Sequence, residues 1–319
     1  MVPYTPIMSG FSADSLEPTN PSRIGAGSFA TVFAAPAYPV VFKVVHVQEH
    51  TAQILAEYEV LHCVYGLCNS DSIFALPRAL AFYDPETDDL RYHPPSPNVG
   101  RPRRPRQAPN RAMFDGLPAR ACYVMDRVGP LPRHLGKLIR SSMYPANMVL
   151  PETPIPLLCR LYLGELRPSP FANTSNFPIN VARYRLLLGN FAEDLLPIEV
   201  VAQGMGEMLS RIHWTAGYDA RGIEFVMGGD AFGVRYSVID FNQMRTFDKD
   251  RGDVALLVDA FFSNDPYYPR PTPGDPLYDE FKRSYVGSCP MKHLARAECF
   301  LGAIEDRQAA NGVATGCLD

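Results

Sequence analysis

Lysine is scarce in this chain of 319 residues: only Lys43, Lys137, Lys249, Lys282 and Lys292 occur, and arginine carries the rest of the positive charge. The net charge of −4 and pI near 6.0 provide no global basic field, so a protein built to coat a polyanion is not expected. No stretch approaches the ~20 uninterrupted apolar residues of a membrane helix. The opening "MVPYTPIMSGFSADSLEPTN" has neither a cationic head nor an apolar run of signal-peptide length. The expectation is a soluble, cytoplasmic protein with no membrane partner. Cysteine is present but unpatterned: Cys63, Cys68, Cys122, Cys159, Cys289, Cys299 and Cys317 are odd in number and form no CxxC pair. Reduced, mostly buried thiols are the expectation. His62 beside Cys63 and Cys68 lacks a second ligand pair at finger spacing, so no zinc is expected.

What is present is 46% apolar, enough for a sizeable core. Residues 1–20 carry Pro, Ser and Thr without periodicity and read as a tail. "SFATVFAA" and "YPVVFKVVHV" then read as a β-hairpin. In the segment that follows, Ile54, Leu55, Tyr58, Leu61 and Val64 recur at helical spacing. A Pro/Arg-rich insert spans about 86–118, and its centre, "PPSPNVGRPRRPRQAPN", holds Arg101, Arg103, Arg104 and Arg106. It reads either as a solvated loop or as a contact for an acidic or protein partner. "ACYVMDRVGPLPRHLGKLI" reads as a strand, a turn and a helix. A Pro-rich passage over 151–180 precedes the helical pattern "PIEVVAQGMGEMLSRIHW", in which His213 and Trp214 read as packing residues. "GIEFVMG" and "RYSVIDF" are strand candidates ahead of a mainly helical C-terminal region. The pattern is α+β, with a small sheet-rich part at 21–129 and a larger helical part at 130–319.

"RIGAGSFATVF" contains Gly25 and Gly27, which lack a β-carbon and can approach a ligand closely. Ser28 lies with them between Ile24 and Val32, which look like strand material, and Val32 is placed to cover a flat base. Lys43 stands alone in the apolar run "VVFKVV", as the only lysine in the first 136 residues. A charge in such a place needs a counter-ion; Glu57 on the next helix can supply it, and Glu59 is the competitor. A glycine loop, a strand lysine and carboxylates for magnesium are the minimum parts for phosphoryl transfer from ATP.

The order "IGAGSFATV", "VVFK", "AEYEVL" and "YVMDRV" resembles the small lobe of a protein kinase. The resemblance implies a two-lobed kinase-like fold in which Glu57 pairs with Lys43, Met125 is the gatekeeper, and the backbone from Asp126 to Val128 meets the adenine edge. Carried into the second half, it places Asp219 of "GYDARGIEFVM" at the catalytic aspartate. Glu224, five residues on, falls at the metal-binding asparagine, and Asp240 of "SVIDFNQMR" at the later metal-binding aspartate. The chain departs from the kinase pattern at Gly217 and Tyr218, at Glu224 and at Asn242. "HWTAGYDARGIEFVMG", "VIDFNQMR" and "NDPYYPRP" together resemble a fungal kinase-like family whose members are often labelled zinc-finger proteins.

This resemblance implies ATP and Mg as cofactors. The expected function is a phosphotransferase acting on a small-molecule hydroxyl rather than a protein. A pseudokinase or binding scaffold, and a kinase fold redirected to another reaction on a metabolite, are the alternatives. "SNDPYYPRPTPGD" reads either as a lining of the acceptor pocket or as a rigid structural loop.

Overall fold

The computed structural model describes residues 20–35, 38–93, 109–144, 158–165 and 176–315. The expected tail up to residue 19, the arginines at 101, 103, 104 and 106, and much of the Pro-rich passage over 151–180 lie outside the described residues.

In chain order the first part comprises β1 (Ser22–Ala26), β2 (Ala30–Ala34), β3 (Val40–Val45), α1 (Thr51–Cys68), β4 (Phe74–Ala75), β5 (Ala79–Asp84), β6 (Asp89–Arg91) and β7 (Cys122–Asp126). There follow α2 (Arg133–Ser142), β8 (Leu158–Tyr162), β9 (Asn176–Asn180), α3 (Val181–Asn190) and α4 (Ile198–Ser210). The chain continues with β10 (Glu224–Asp230), β11 (Gly233–Ile239), α5 (Ala255–Ser263), α6 (Pro276–Gly287) and α7 (Leu294–Thr315). The architecture is α+β. One antiparallel sheet runs β1-β2-β3-β7-β5-β6, and a second, mixed sheet runs β4-β11-β10-β8-β9. Among the described residues, no helix is long and apolar enough to cross a membrane.

Central position explains why all six residues of β3 are buried, Lys43 included. β3 lies between β2 and β7, and successive side chains go to opposite faces of the sheet. Val40, Phe42 and Val44 pack with Val124, Cys122 and Phe114. Val45 joins Tyr58, Leu61 and Tyr123 in the core on the α1 side, and Lys43 points the same way. Helix α1 forms because Ile54, Tyr58, Leu61 and Val64 make one apolar stripe. Glu57 lies in that stripe and is buried with it.

Two parts of the sequence are more ordered than expected. Both flanks of the insert fold onto the first sheet, through β6 on one side and a 3₁₀ turn at Arg111–Phe114 on the other. Phe114 packs against Phe42 and Tyr83 at ring separations of 5.8 and 5.1 Å. The Pro-rich passage contains the parallel pair β8 and β9. Proline concealed β9, yet Pro178 is tolerated because β9 is the outermost strand of its sheet.

Glycine brings the two sheets into contact. A β-carbon on Gly129, just after β7, would lie 2.3 Å from the Gly229 carbonyl, and one on Gly228 would lie 2.4 Å from the Gly129 carbonyl. Gly229 N–H donates to Gly129 O at 3.0 Å. The two sheets are therefore joined by direct backbone contact.

A similar approach joins α4 to α6, where a β-carbon on Gly206 would stand 2.1 Å from the Phe281 carbonyl oxygen. Gly206→Ala must push the helices apart, and we expect a loss of about 1–3 kcal/mol in urea denaturation. Gly302, in the middle of α7, has nothing within 4 Å of the added carbon. There Gly→Ala should stabilise by about 0.5–1 kcal/mol.

A π-helical turn, Arg211–Ala216, extends α4 and buries His213 and Trp214. Tyr285 OH accepts from Trp214 Nε1 at 2.7 Å, which leaves its own proton for His213 Nδ1 at 2.8 Å. Burial lowers the His213 pKa from 6.5 to about 3. Between these values the unfolded chain binds a proton that the native state refuses, so stability falls as pH drops through this window. Denaturation from pH 7 to 4 should show a slope of up to about 1.4 kcal/mol per pH unit from this group. His213→Phe should reduce it.

Candidate active-site cleft

The loop between β1 and β2 closes with Gly27 N–H donating to Ala30 O at 2.9 Å, while Gly25 pairs with Val32 across the two strands. Neither glycine has a positive φ. Added β-carbons would meet only Val32 Cβ at 4.0 Å and Ala30 O at 3.8 Å. The chain's own packing thus makes no demand for glycine at either position, and the bare backbone leaves room for a group approaching from outside. Ser28 is exposed at the tip. Phe29 beside it is buried, with its ring centroid 5.1 Å from Lys43 Nζ. Val32 lies across from Lys43 in the β2–β3 register.

Lys43 Nζ donates to Glu57 Oε1 at 2.7 Å and to Asp240 Oδ1 at 2.9 Å. The helical face set by Ile54 and Leu61 turns Glu57 inward, whereas Glu59 meets His93 at 3.2 Å on the outside. Burial opposes the charge on Lys43, but Glu57 and then Asp240 outweigh it and hold its pKa above the usual lysine value. Tyr123, fully buried on β7, is kept a neutral phenol by that burial and then by the charge of Glu57.

Asp240 follows β11 with φ of +64°. This is left-handed backbone that an aspartate adopts at a cost of roughly 1–3 kcal/mol. It is held from both sides: the carboxylate reaches Lys43, and the next residue, Phe241, is buried with its N–H directed at Glu57 Oε1, 3.4 Å away. No described residue bonds Asp240 Oδ2, and the side chain is 34% exposed.

Asp219 and Glu224 are placed differently: each carboxylate is committed to an arginine. Asp219 is 2% exposed and accepts from Arg245 Nε at 2.6 Å, Arg245 N–H at 2.9 Å and Arg221 N–H at 3.1 Å. Glu224 accepts from Arg160 Nε at 2.9 Å and Nη2 at 2.5 Å. Burial is the largest influence on Glu224 and raises its pKa against the pull of Arg160, and the charge of Asp240 adds to the rise. Asn264 ties this region together, its side chain accepting from Gly222 N–H at 2.7 Å and donating to Ala220 O at 3.0 Å. The motifs containing Asp219, Asp240 and Asn264 therefore meet in space.

In the β7 segment, Met125 is half-buried and pairs with Val41. The Asp126 side chain is taken by Arg78 at 2.7 and 2.8 Å, and its N–H donates to Arg78 O at 3.1 Å. Val128 packs beneath Gly228. Two cavities, of about 210 Å³ beside Phe114 and about 350 Å³ beside Tyr236, are lined by none of the cleft residues.

Sequence reasoning passed over Phe29, Tyr123, Arg160 and Arg245. Arg160 carried a usable signal, since "LLCRLY" is a lone cation in an apolar run just as "VVFKVV" is.

A family model described as a zinc finger protein matches residues 237–291, from the end of β11 through α6. The match covers well under half of the chain. Within it there is one cysteine, Cys289, and no histidine, short of the four ligands of a structural zinc site. Among the described residues, no group of three or more His, Cys, Asp or Glu is placed to hold a metal ion. No curated protein matches the chain.

Lys43→Met would leave Glu57 buried without its counter-charge, and we expect a loss of about 3–5 kcal/mol in equilibrium unfolding. The double variant Lys43→Met/Glu57→Leu should recover most of it. Equal losses in the single and double variants would show that the two charges are not coupled.

Proposed function

We propose that the chain is a kinase-like, ATP- and magnesium-dependent phosphotransferase acting on a hydroxyl group of a small molecule. The observation that carries this reading is the junction of Lys43, Glu57 and Asp240, an ammonium shared by a helix carboxylate and a partly exposed strand-end carboxylate. The glycine loop adjoins it on the neighbouring strand. In this reading Gly25, Gly27 and Ser28 cover the phosphates, Lys43 contacts them and Glu57 holds Lys43 in place. Val32 and Met125 flank the base, and the backbone of Asp126 to Val128 lines its edge.

The two proposed metal carboxylates differ in fit. Asp240 has one oxygen that no described residue bonds and suits a magnesium ion whose other ligands are water and phosphate oxygens. Glu224 has both oxygens engaged by Arg160 and does not suit one as it stands. Bound magnesium would offset charge on the phosphates. Asp219 would accept the acceptor's proton once Arg245, whose side chain is 49% exposed, releases it. The arginine-bound state of both carboxylates also favours a second reading, a scaffold that binds nucleotide without turnover.

Millimolar MgATP should raise the Tm of the wild-type chain, since a ligand at 100 times its Kd contributes about 2.7 kcal/mol. Asp240→Asn should remove the shift. Absence of any wild-type shift would refute the proposal. A shift without ADP formation across a panel of hydroxylated metabolites would select the scaffold.

A further inference from the structure

We infer that this cleft takes one divalent cation, at Asp240, and that Arg160 is the built-in positive charge occupying the place of a second. The inference rests on the nucleotide reading above and specifies its metal content. Arg160 lies on β8 opposite Val226, so it faces Glu224 diagonally, two residues along the neighbouring strand. Its Nε and Nη2 reach the two Glu224 oxygens separately. That parallel, two-point contact is the fit of a planar guanidinium to a carboxylate, and it uses both oxygens that a metal would need.

A cation arriving at Glu224 must either displace the guanidinium or lie against it. Displacement would strip a carboxylate that is only 15% exposed of its partner, and close approach would set like charges together at low dielectric. Asp240 presents the opposite case: Lys43 takes one oxygen, no described residue bonds the other, and the side chain is 34% exposed. The third guanidinium nitrogen, Arg160 Nη1, stands 3.8 Å from Asp265 Oδ2, beyond hydrogen-bond length, while Tyr162 OH donates to that same oxygen at 2.7 Å. Asp265 is thus braced by Tyr162, and Arg160 Nη1 lies within ion-pair distance of the same carboxylate.

The test is the electron paramagnetic resonance spectrum of the full chain with Mn²⁺ in place of Mg²⁺ and a β,γ-imido analogue of ATP, with protein in excess over nucleotide. The expected wild-type result is one Mn²⁺ per bound nucleotide with an isolated six-line signal, unchanged by Glu224→Gln. Arg160→Met frees Glu224 and should admit a second Mn²⁺, seen as dipolar broadening and a doubled stoichiometry. Two coupled ions in the wild type, loss of the ion in Glu224→Gln, or a single ion in folded Arg160→Met would each overturn the inference. If Arg160→Met does not fold, the wild type and Glu224→Gln decide. Nucleotide binding with two coupled ions would leave the nucleotide reading standing. The absence of any nucleotide-dependent Mn²⁺ signal would refute that reading and this inference together.

Discussion

One buried ammonium group, shared between carboxylates 14 and 197 residues away in the chain, is the constraint around which the cleft is arranged. Lys43 cannot be hydrated where β3 places it, so its charge must be met by the protein. Glu57 meets it from α1 and Asp240 from the end of β11. The first sheet, the helix on its inner face and the second sheet are thereby joined at one atom, Lys43 Nζ. The left-handed backbone at Asp240 belongs to the same arrangement, because Phe241 anchors the strand end in the core while the carboxylate turns back toward Lys43.

Around that point the remaining charges are distributed asymmetrically. Among the described residues nothing bonds the second oxygen of Asp240, which is partly exposed, whereas Asp219 and Glu224 each pair with an arginine from another segment. Arginine suits this task better than lysine, since its fork fills two acceptor positions in one plane. The lysine contacts two carboxylates as a point charge, while Arg160 grips Glu224 through two guanidinium nitrogens and Arg245 meets Asp219 through Nε and its backbone N–H.

Sequence and structure agree best where a local pattern carries the information. Glu57 is preferred to Glu59 through the resemblance, which puts the paired glutamate four residues before a leucine, and Lys43 stands out as a charge in an apolar strand. The hairpin of β2 and β3 was legible from its β-branched and aromatic residues and the turn between them, and the helices α1 and α4 from apolar residues at helical spacing. The partners of Asp219 and Glu224 were not legible, because Arg245 and Arg160 lie 26 and 64 residues away and the pairing is set by strand register and loop packing. Strands β8 and β9 were hidden by their proline-rich surroundings, where composition suggested a loop and edge position made Pro178 acceptable. The glycines at 129, 228 and 229 gave no periodic signal; their role exists only once two sheets meet.

The Asn264 amide has a consequence for how such a cleft can change. With its carbonyl on Gly222 and its amino group on Ala220, it clips the 264–268 loop to the turn that carries Asp219 and leads into Glu224. Leu163 and Gly164, just beyond β8, also donate to Tyr267 O and Pro266 O, each at 3.0 Å, so the strand bearing Arg160 is fastened to the same loop. The three segments form a single mechanical part. Remodelling the loop would therefore also displace Asp219, Glu224 and the arginines that hold them.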